Sequence, residues 1–242
     1  MSPIVAHQQN RLLAALPADV QARLALRMKR VDMPLGRVLY ESGDTLLHIY
    51  FPTESIVSLI YEMENGSSAE ISVVGNDGVI GIALFMGGES TPSRAIVRSA
   101  GHAYELPAED LKREFKRHEE LHNLVLRYTQ SLLTQMAQTA VCNRHHSIDQ
   151  QLCRWLLLSL DRLPSDHLVM TQELIANMLG VRREGVTEAA GKLQKLGVIE
   201  YARGQIKVLN RPKLEKLSCE CYAAVRSETD RLFPYSLPRY RA

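Results

Sequence analysis

The sequence predicts an α+β chain in three parts: an N-terminal antiparallel sandwich or barrel, one long helix, and a C-terminal winged helix-turn-helix. Three observations predict it. Across residues 31–106, short alternating runs such as "SIVSLIY" and "EISVV" are broken by turn signals. Residues 118–143 repeat apolar positions every three or four residues. Residues 172–191, "QELIANMLGVRREGVTEAAG", place small, glycine and apolar residues where a helix-turn-helix needs them, and an alternating "GVIEYARGQIKVLN" follows. The expected boundaries are 1–117, 118–145 and 146–242.

Composition bounds the possibilities. The chain has 242 residues, enough for one large or two ordinary domains, with the 45% hydrophobic and 23% charged content of a globular protein. A net charge of +2 gives no whole-molecule nucleic-acid signal, but residues 182–213 carry eight Lys/Arg against three Glu. A polyanion would be felt there. The opening residues lack a basic head before an apolar run, so no signal peptide is expected. "WLLLSL", the longest apolar stretch, falls far short of the ~20 residues that span a bilayer. Cys142, Cys153, Cys219 and Cys221 suggest no disulfide framework in a chain this size, and a cytoplasmic protein without membrane contact is expected.

The elements follow in order. Leu12, Leu13, Leu16, Val20, Leu24 and Met28 predict a helix over residues 9–30. In the strand region the turn signals are Pro34-Leu35-Gly36, Ser42-Gly43-Asp44, Asn65-Gly66, Asn76-Asp77-Gly78, Gly87-Gly88 and Gly101. "LPAEDLKREF" reads as a short capped helix. On the long helix, Leu121, Val125, Tyr128, Leu132, Met136 and Thr139 form one stripe, which either packs on its own domain alone or also pairs with a second chain. Another helix covers 147–163, closed by Pro164-Ser165-Asp166.

In the helix-turn-helix, Ile175, Ala176 and Leu179 face inward from the first helix, Gly180 makes the turn and Val181 plugs it. Val186, Ala189, Ala190, Leu193 and Leu196 give the second helix its buried stripe. Residues 182, 183, 184, 187, 188, 191, 192 and 195 then point outward. The hairpin around Arg203-Gly204 is the wing, which would lie beside phosphates while the second helix enters the major groove.

This arrangement resembles the Crp/Fnr family of bacterial transcription regulators. The likeness runs over nearly the whole chain. It includes "GRVLYESGD" with Gly36, Gly43 and Asp44, "NDGVIGIALFMGGESTPSRAIV" in the place of a nucleotide cassette, the long helix, and "RREGV" opening the second helix. The resemblance implies a cyclic-nucleotide-binding-like jelly roll at 1–117, a dimerisation helix at 118–145, and double-stranded DNA, a second copy and RNA polymerase as partners. It implies base reading by Arg183 and Glu184, since arginine forks onto guanine and a carboxylate accepts from the cytosine amino group. The expected DNA-contacting set is Arg182, Arg183, Glu184, Thr187, Glu188 and Lys192, with Arg203 and Lys207 on the wing. For Glu188 a second reading stays open, as the i,i+4 partner of Lys192.

The effector site departs from the family pattern. Relatives that bind cyclic AMP use Gly-Glu for the ribose and Arg-Ser or Arg-Thr for the phosphate. Here the matching positions are Gly81-Ile82 and Ser93-Arg94-Ala95. Ile82 accepts no hydrogen bond, and a one-residue displacement turns Arg94 to the other strand face. Cyclic AMP is therefore not the expected effector, and no cofactor is identified. Cys219-X-Cys221 alone is too sparse for an iron–sulfur cluster. His118 and His122 read as surface histidines rather than a metal pair, and His145-His146 mark a hinge. A jelly-roll metalloenzyme would need His-X-His with further ligands, but the strand region holds only His48 and His102, so no enzyme is expected.

Overall fold

One buried amide organises the first turn of the chain. The Asn10 side chain accepts from the Leu12 and Leu13 N–H groups at 3.1 Å, and its amide donates to the Pro52 and Gly78 carbonyls at 2.9 Å. It thereby caps helix α1 (Arg11–Ala14) and ties it to the sandwich. A computed structural model describes residues 9–117, 119–165 and 167–233. The single helix expected over 9–30 is in fact split. Pro17 has no N–H to give a continuing helix, so α2 (Ala18–Ala25) starts anew, and strand β1 (Lys29–Met33) follows. Leu12, Leu13, Leu16, Val20 and Leu24 are nevertheless all buried.

The N-terminal strands form two antiparallel sheets. β1 and β3 (His48–Pro52) flank β7 (Gly101–Pro107). β2 (Val38–Tyr40), β6 (Arg94–Ser99), β4 (Ile56–Glu62) and β5 (Ser68–Val74) make the other, in that order. The β4–β5 hairpin turns at Asn65-Gly66, as expected, where the Asn65 carboxamide oxygen accepts from the Ser67 N–H at 3.0 Å. Inward residues such as Ile49, Val57, Ile80, Val97 and Leu106 make one core with α1 and α2.

Helix α3 (Ala108–Arg117) leads to α4 (Glu119–His145), the long helix. Its expected stripe lies on its own domain: Leu121, Val125, Tyr128 and Leu132 are buried in the sandwich core, Met136 packs against that core, and Thr139 is buried. The pairing reading of this stripe is therefore corrected. The large apolar residues that α4 leaves open, among the described residues, are Leu126, Leu133 and Val141, exposed by 51%, 56% and 47%. Two apolar faces share the helix, and the sandwich takes the richer one. His118 and Asp166 lie outside the described residues.

After the bend at His146, Ser147 caps α5 (Ile148–Leu160) in a reciprocal capping box with Gln150. β8 (His167–Val169), α6 (Gln172–Leu179), α7 (Arg183–Lys195), β9 (Ile199–Ala202) and β10 (Gln205–Val208) build the winged helix, with sheet order β8-β10-β9. α8 (Arg211–Leu217) and α9 (Glu220–Leu232) complete it, and α9 lies back along α4, where Gln130 donates to Glu228 at 3.0 Å.

The two domains meet over a buried polar seam. Trp155 Nε1 of α5 donates to Glu70 of β5 at 3.0 Å, and Gln135 of α4 donates to the Val73 carbonyl at 3.1 Å. Arg162 ion-pairs with Asp77 at 3.1 Å and donates to the Gln135 side chain at 2.5 Å and the Leu158 carbonyl at 2.7 Å. Burial pushes the Glu70 carboxyl up to about 7, against opposing hydrogen bonds from Ser58 and Trp155.

Candidate nucleic-acid interface and sensor pocket

The turn between α6 and α7 is fixed by backbone chemistry. Thr171 caps α6 by accepting from the Leu174 N–H at 3.2 Å. Gly180 ends it in the left-handed region at φ 67°, and Val181 N–H returns to the Ala176 carbonyl at 3.0 Å. Ile175, Ala176, Met178 and Leu179 then pack against Val186, Ala189, Ala190 and Leu193. Gly185 admits α5: a Cβ there would stand 2.7 Å from Ile148 Cδ1. Leu196, expected in the buried stripe, is 47% exposed. The helix ends at that residue, and buried Val198 takes its place with its N–H on the Leu193 carbonyl at 3.0 Å.

All eight residues expected to touch DNA are exposed. They divide by what already holds them. Among the described residues, Arg182, Arg183 and Glu184 form no ion pair, and they open α7. Thr187 is engaged: its hydroxyl is 2.7 Å from the Gln172 side-chain oxygen and 3.0 Å from the Arg183 carbonyl. Lys192 lies 3.0 Å from Glu188 and 3.1 Å from Asp149 of α5. The helical pairing foreseen for Glu188 is thus present, with a second carboxylate that sequence spacing could not reveal. On the wing, Arg203 and Gly204 form a two-residue turn with φ 50° and 77°, the mirror-image geometry that suits twisted hairpins. Lys207 faces Glu200 across the hairpin, and β8 is a third strand that the sequence did not announce.

The sandwich holds a cavity of about 290 Å³ with mainly apolar walls, including Leu59, Ile71, Ile82 and Met136, and with polar groups from Tyr40, Tyr61, Ser90, Thr91 and Ser93. It brings Ile82 and Ser93 together and leaves Gly81 and Arg94 out. Gly81 starts the short 3-10 turn Ile82–Leu84 at φ 103°. Arg94 pairs instead with Glu41 at 3.0 Å and approaches Glu62 at 3.9 Å. Strand alternation has turned it away from the cavity, as its displacement implied. Burial raises the Tyr40 hydroxyl to about 12, so it is a neutral group there.

Residues 30–118 match the model of the cyclic nucleotide-binding domain, and residues 150–217 match that of the Crp-like helix-turn-helix domain. The chain belongs to the Crp/Fnr family. It is a DNA-binding transcription regulator with an effector-sensing type of N-terminal domain. Solved structures share the fold of this Crp/Fnr chain. FixK2 from Bradyrhizobium japonicum aligns with TM-score 0.67 at 16% identity, covering 79% of this chain and 98% of that one. A Crp-family transcriptional regulator of Thermus thermophilus gives 0.64 at 17%, covering 78% and 96%. CLP, a c-di-GMP responsive global regulator of Xanthomonas campestris, gives 0.63 at 18%, covering 79% and 99%. No curated protein sequence is significantly similar to this chain.

Sequence reasoning about this Crp/Fnr regulator missed two further contributors. Met136 belongs to the apolar stripe of the long helix, and it also lines the sandwich cavity and so joins that cavity to α4. Asp149 reaches the recognition helix from α5. Neither carries a local sequence signal, because each acts across a tertiary contact.

Proposed function

We propose that this regulator binds a two-fold-related DNA site as a homodimer, with α7 of each protomer in the major groove. The observation that carries this reading is the start of α7, directly after the Gly180 turn, where Arg183 and Glu184 are exposed and, among the described residues, outside any ion pair. Arg183 reads a guanine edge, Glu184 accepts from a neighbouring cytosine, and Arg182, Arg203 and Lys207 meet phosphates. Glu188 and Lys192 hold each other and Asp149, so they trim the local field and contribute less to base choice. Thr187 steadies α7 against α6 through Gln172.

The second copy packs on the open face of α4, where Leu126 and Leu133 stand one heptad apart and Val141 continues the face. The cavity takes a compact, largely apolar effector rather than cyclic AMP, since Ile82 offers no ribose acceptor and Arg94 is paired elsewhere. Its wall at Met136 is the route by which occupancy is felt by α4. Catalysis has no part in this reading. The protein works in the bacterial cytoplasm with RNA polymerase as its protein partner; no described helix is long and apolar enough to cross a membrane.

Selection of binding sites from random DNA should return two half-sites about one helical turn apart. Leu126→Glu with Leu133→Glu should give monomers by sedimentation and lose the paired site. A double variant that stays dimeric removes α4 from the interface. Micromolar cyclic AMP binding by calorimetry would overturn the effector assignment.

A further inference from the structure

Three of the four cysteines, which suggested nothing by spacing, converge with a histidine between α4 and α5. Cys142 lies on the last turns of α4, and His146 follows one helical turn later on the same face. Cys219 caps α9 and Cys221 lies in its first turn. Cys142 Sγ is 3.5 Å from Cys219 Sγ, and Cys221 Sγ is 3.5 Å from His146 Nδ1. One ligand atom from each of the four residues lies within 4.8 Å of all the others.

We propose that Cys142, His146, Cys219 and Cys221 form a closed, mononuclear zinc site that staples the end of α4 to the start of α9. A tetrahedron with bonds of about 2.3 Å to sulfur and 2.0–2.1 Å to nitrogen has edges of roughly 3.5–3.8 Å. The Cys221–His146 separation equals the sulfur–nitrogen edge, and the Cys142–Cys219 separation falls only about 0.3 Å short of the sulfur–sulfur edge. A multi-iron cluster spreads its thiolates over outer corners, so a set this tight encloses one ion. Four protein ligands leave no open position, which makes the site structural rather than catalytic. Three thiolates with imidazole and borderline-soft chemistry favour zinc over magnesium or calcium.

The surroundings fit the same ligand. His146 Nε2 lies 3.3 Å from Glu220 Oε1, so the carboxylate orients the ring and leaves Nδ1 for the metal. Gln151 donates to the His146 carbonyl at 2.9 Å and fixes the backbone. The three thiols lose their protons to solvent on binding, and with a divalent ion the site carries one net negative charge. Arg154 compensates it: the residue is 3% exposed, its guanidinium acts electrostatically on Cys142 and Cys221, and its Nε has no hydrogen-bond partner among the described residues. The fourth cysteine, Cys153, belongs to the winged-helix core and takes no part.

Elemental analysis of the full chain purified without chelator should give about one zinc per protomer. After stripping under reductant, cobalt titration should produce thiolate-to-cobalt charge-transfer bands and the intense visible bands of a tetrahedral ion. Cys219→Ser and His146→Ala should weaken or abolish those bands, while Cys153→Ser should keep them. Glu220→Gln should loosen the metal roughly tenfold in chelator competition. Should the ligand variants fail to fold, the stripped wild-type chain still decides the matter through its cobalt spectrum and the rise in Tm on readdition. An octahedral cobalt spectrum, full zinc content in Cys219→Ser, or a metal-free chain with a Cys142–Cys219 disulfide each overturns the proposal.

Discussion

Charge is handled in opposite ways at the start of α7 and at the seam between the domains. Arg182, Arg183 and Glu184 are exposed and form no ion pair among the described residues. At the seam, Glu70 and Arg162 are 5% and 6% exposed and each contacts several named partners. Water solvates an exposed charge well, so the protein can leave it uncommitted for a partner. A buried charge has no such solvent and must find its hydrogen bonds inside. One region is therefore made for binding and the other for holding two domains in register.

The largest effect should come from breaking the seam. Arg162→Ala leaves Asp77 and Gln135 without their cation, and the loss should be roughly 3–5 kcal/mol in urea unfolding. A loss below about 0.5 kcal/mol, the range of ordinary surface substitutions, would erase the distinction between the two regions.

The second effect is a pH dependence. Burial raises Glu70 from 4.5 to about 7, so the folded chain holds a proton that the unfolded chain releases. The stability tied to this proton is fully present below about 4.5 and is lost as pH rises through about 7. Glu70→Gln should remove this component, so that its Tm falls less than that of the wild type across the window. Parallel Tm curves would mean that Glu70 is already ionised in the seam.

At the exposed region the effect moves from stability to binding. Arg183→Ala should cost roughly 1–3 kcal/mol of DNA affinity and relax preference at one guanine, with Tm nearly unchanged. An unchanged selected site would remove α7 as the reading element. The smallest effect belongs to the wing. Lys207→Ala should weaken all sequences alike and lower the salt slope by about one, which titration at several salt concentrations would measure. A sequence-selective loss there would place the wing on bases instead.

Much of this was written in local pattern. The strands and turns of residues 31–106, the long helix, Gly180 and the Arg203-Gly204 hairpin could all be read from period and turn chemistry. These features depend on residues a few positions apart, where backbone geometry alone decides. The break at Pro17 had a local signal as well, but the apolar spacing across it masked the break.

Other features needed the folded chain. Periodicity showed that α4 has an apolar stripe but could not say what covers it; the sandwich does, leaving Leu126, Leu133 and Val141 open. Arg94 could be moved off the cavity by counting, yet its pairing with Glu41 required the neighbouring strand. The seam joins residues 85 apart, as in Trp155 and Glu70, and the cysteine cluster joins residues 77 apart, as in Cys142 and Cys219. The sequence by itself determined most of the elements, though not the split of the first helix or strand β8, together with the turn geometry and which charges open α7. Tertiary structure decided which face of α4 is free, where buried charges find partners, and that three cysteines and a histidine share one point. Chain spacing says nothing about distance in space once many residues intervene, because packing of the whole core selects that distance.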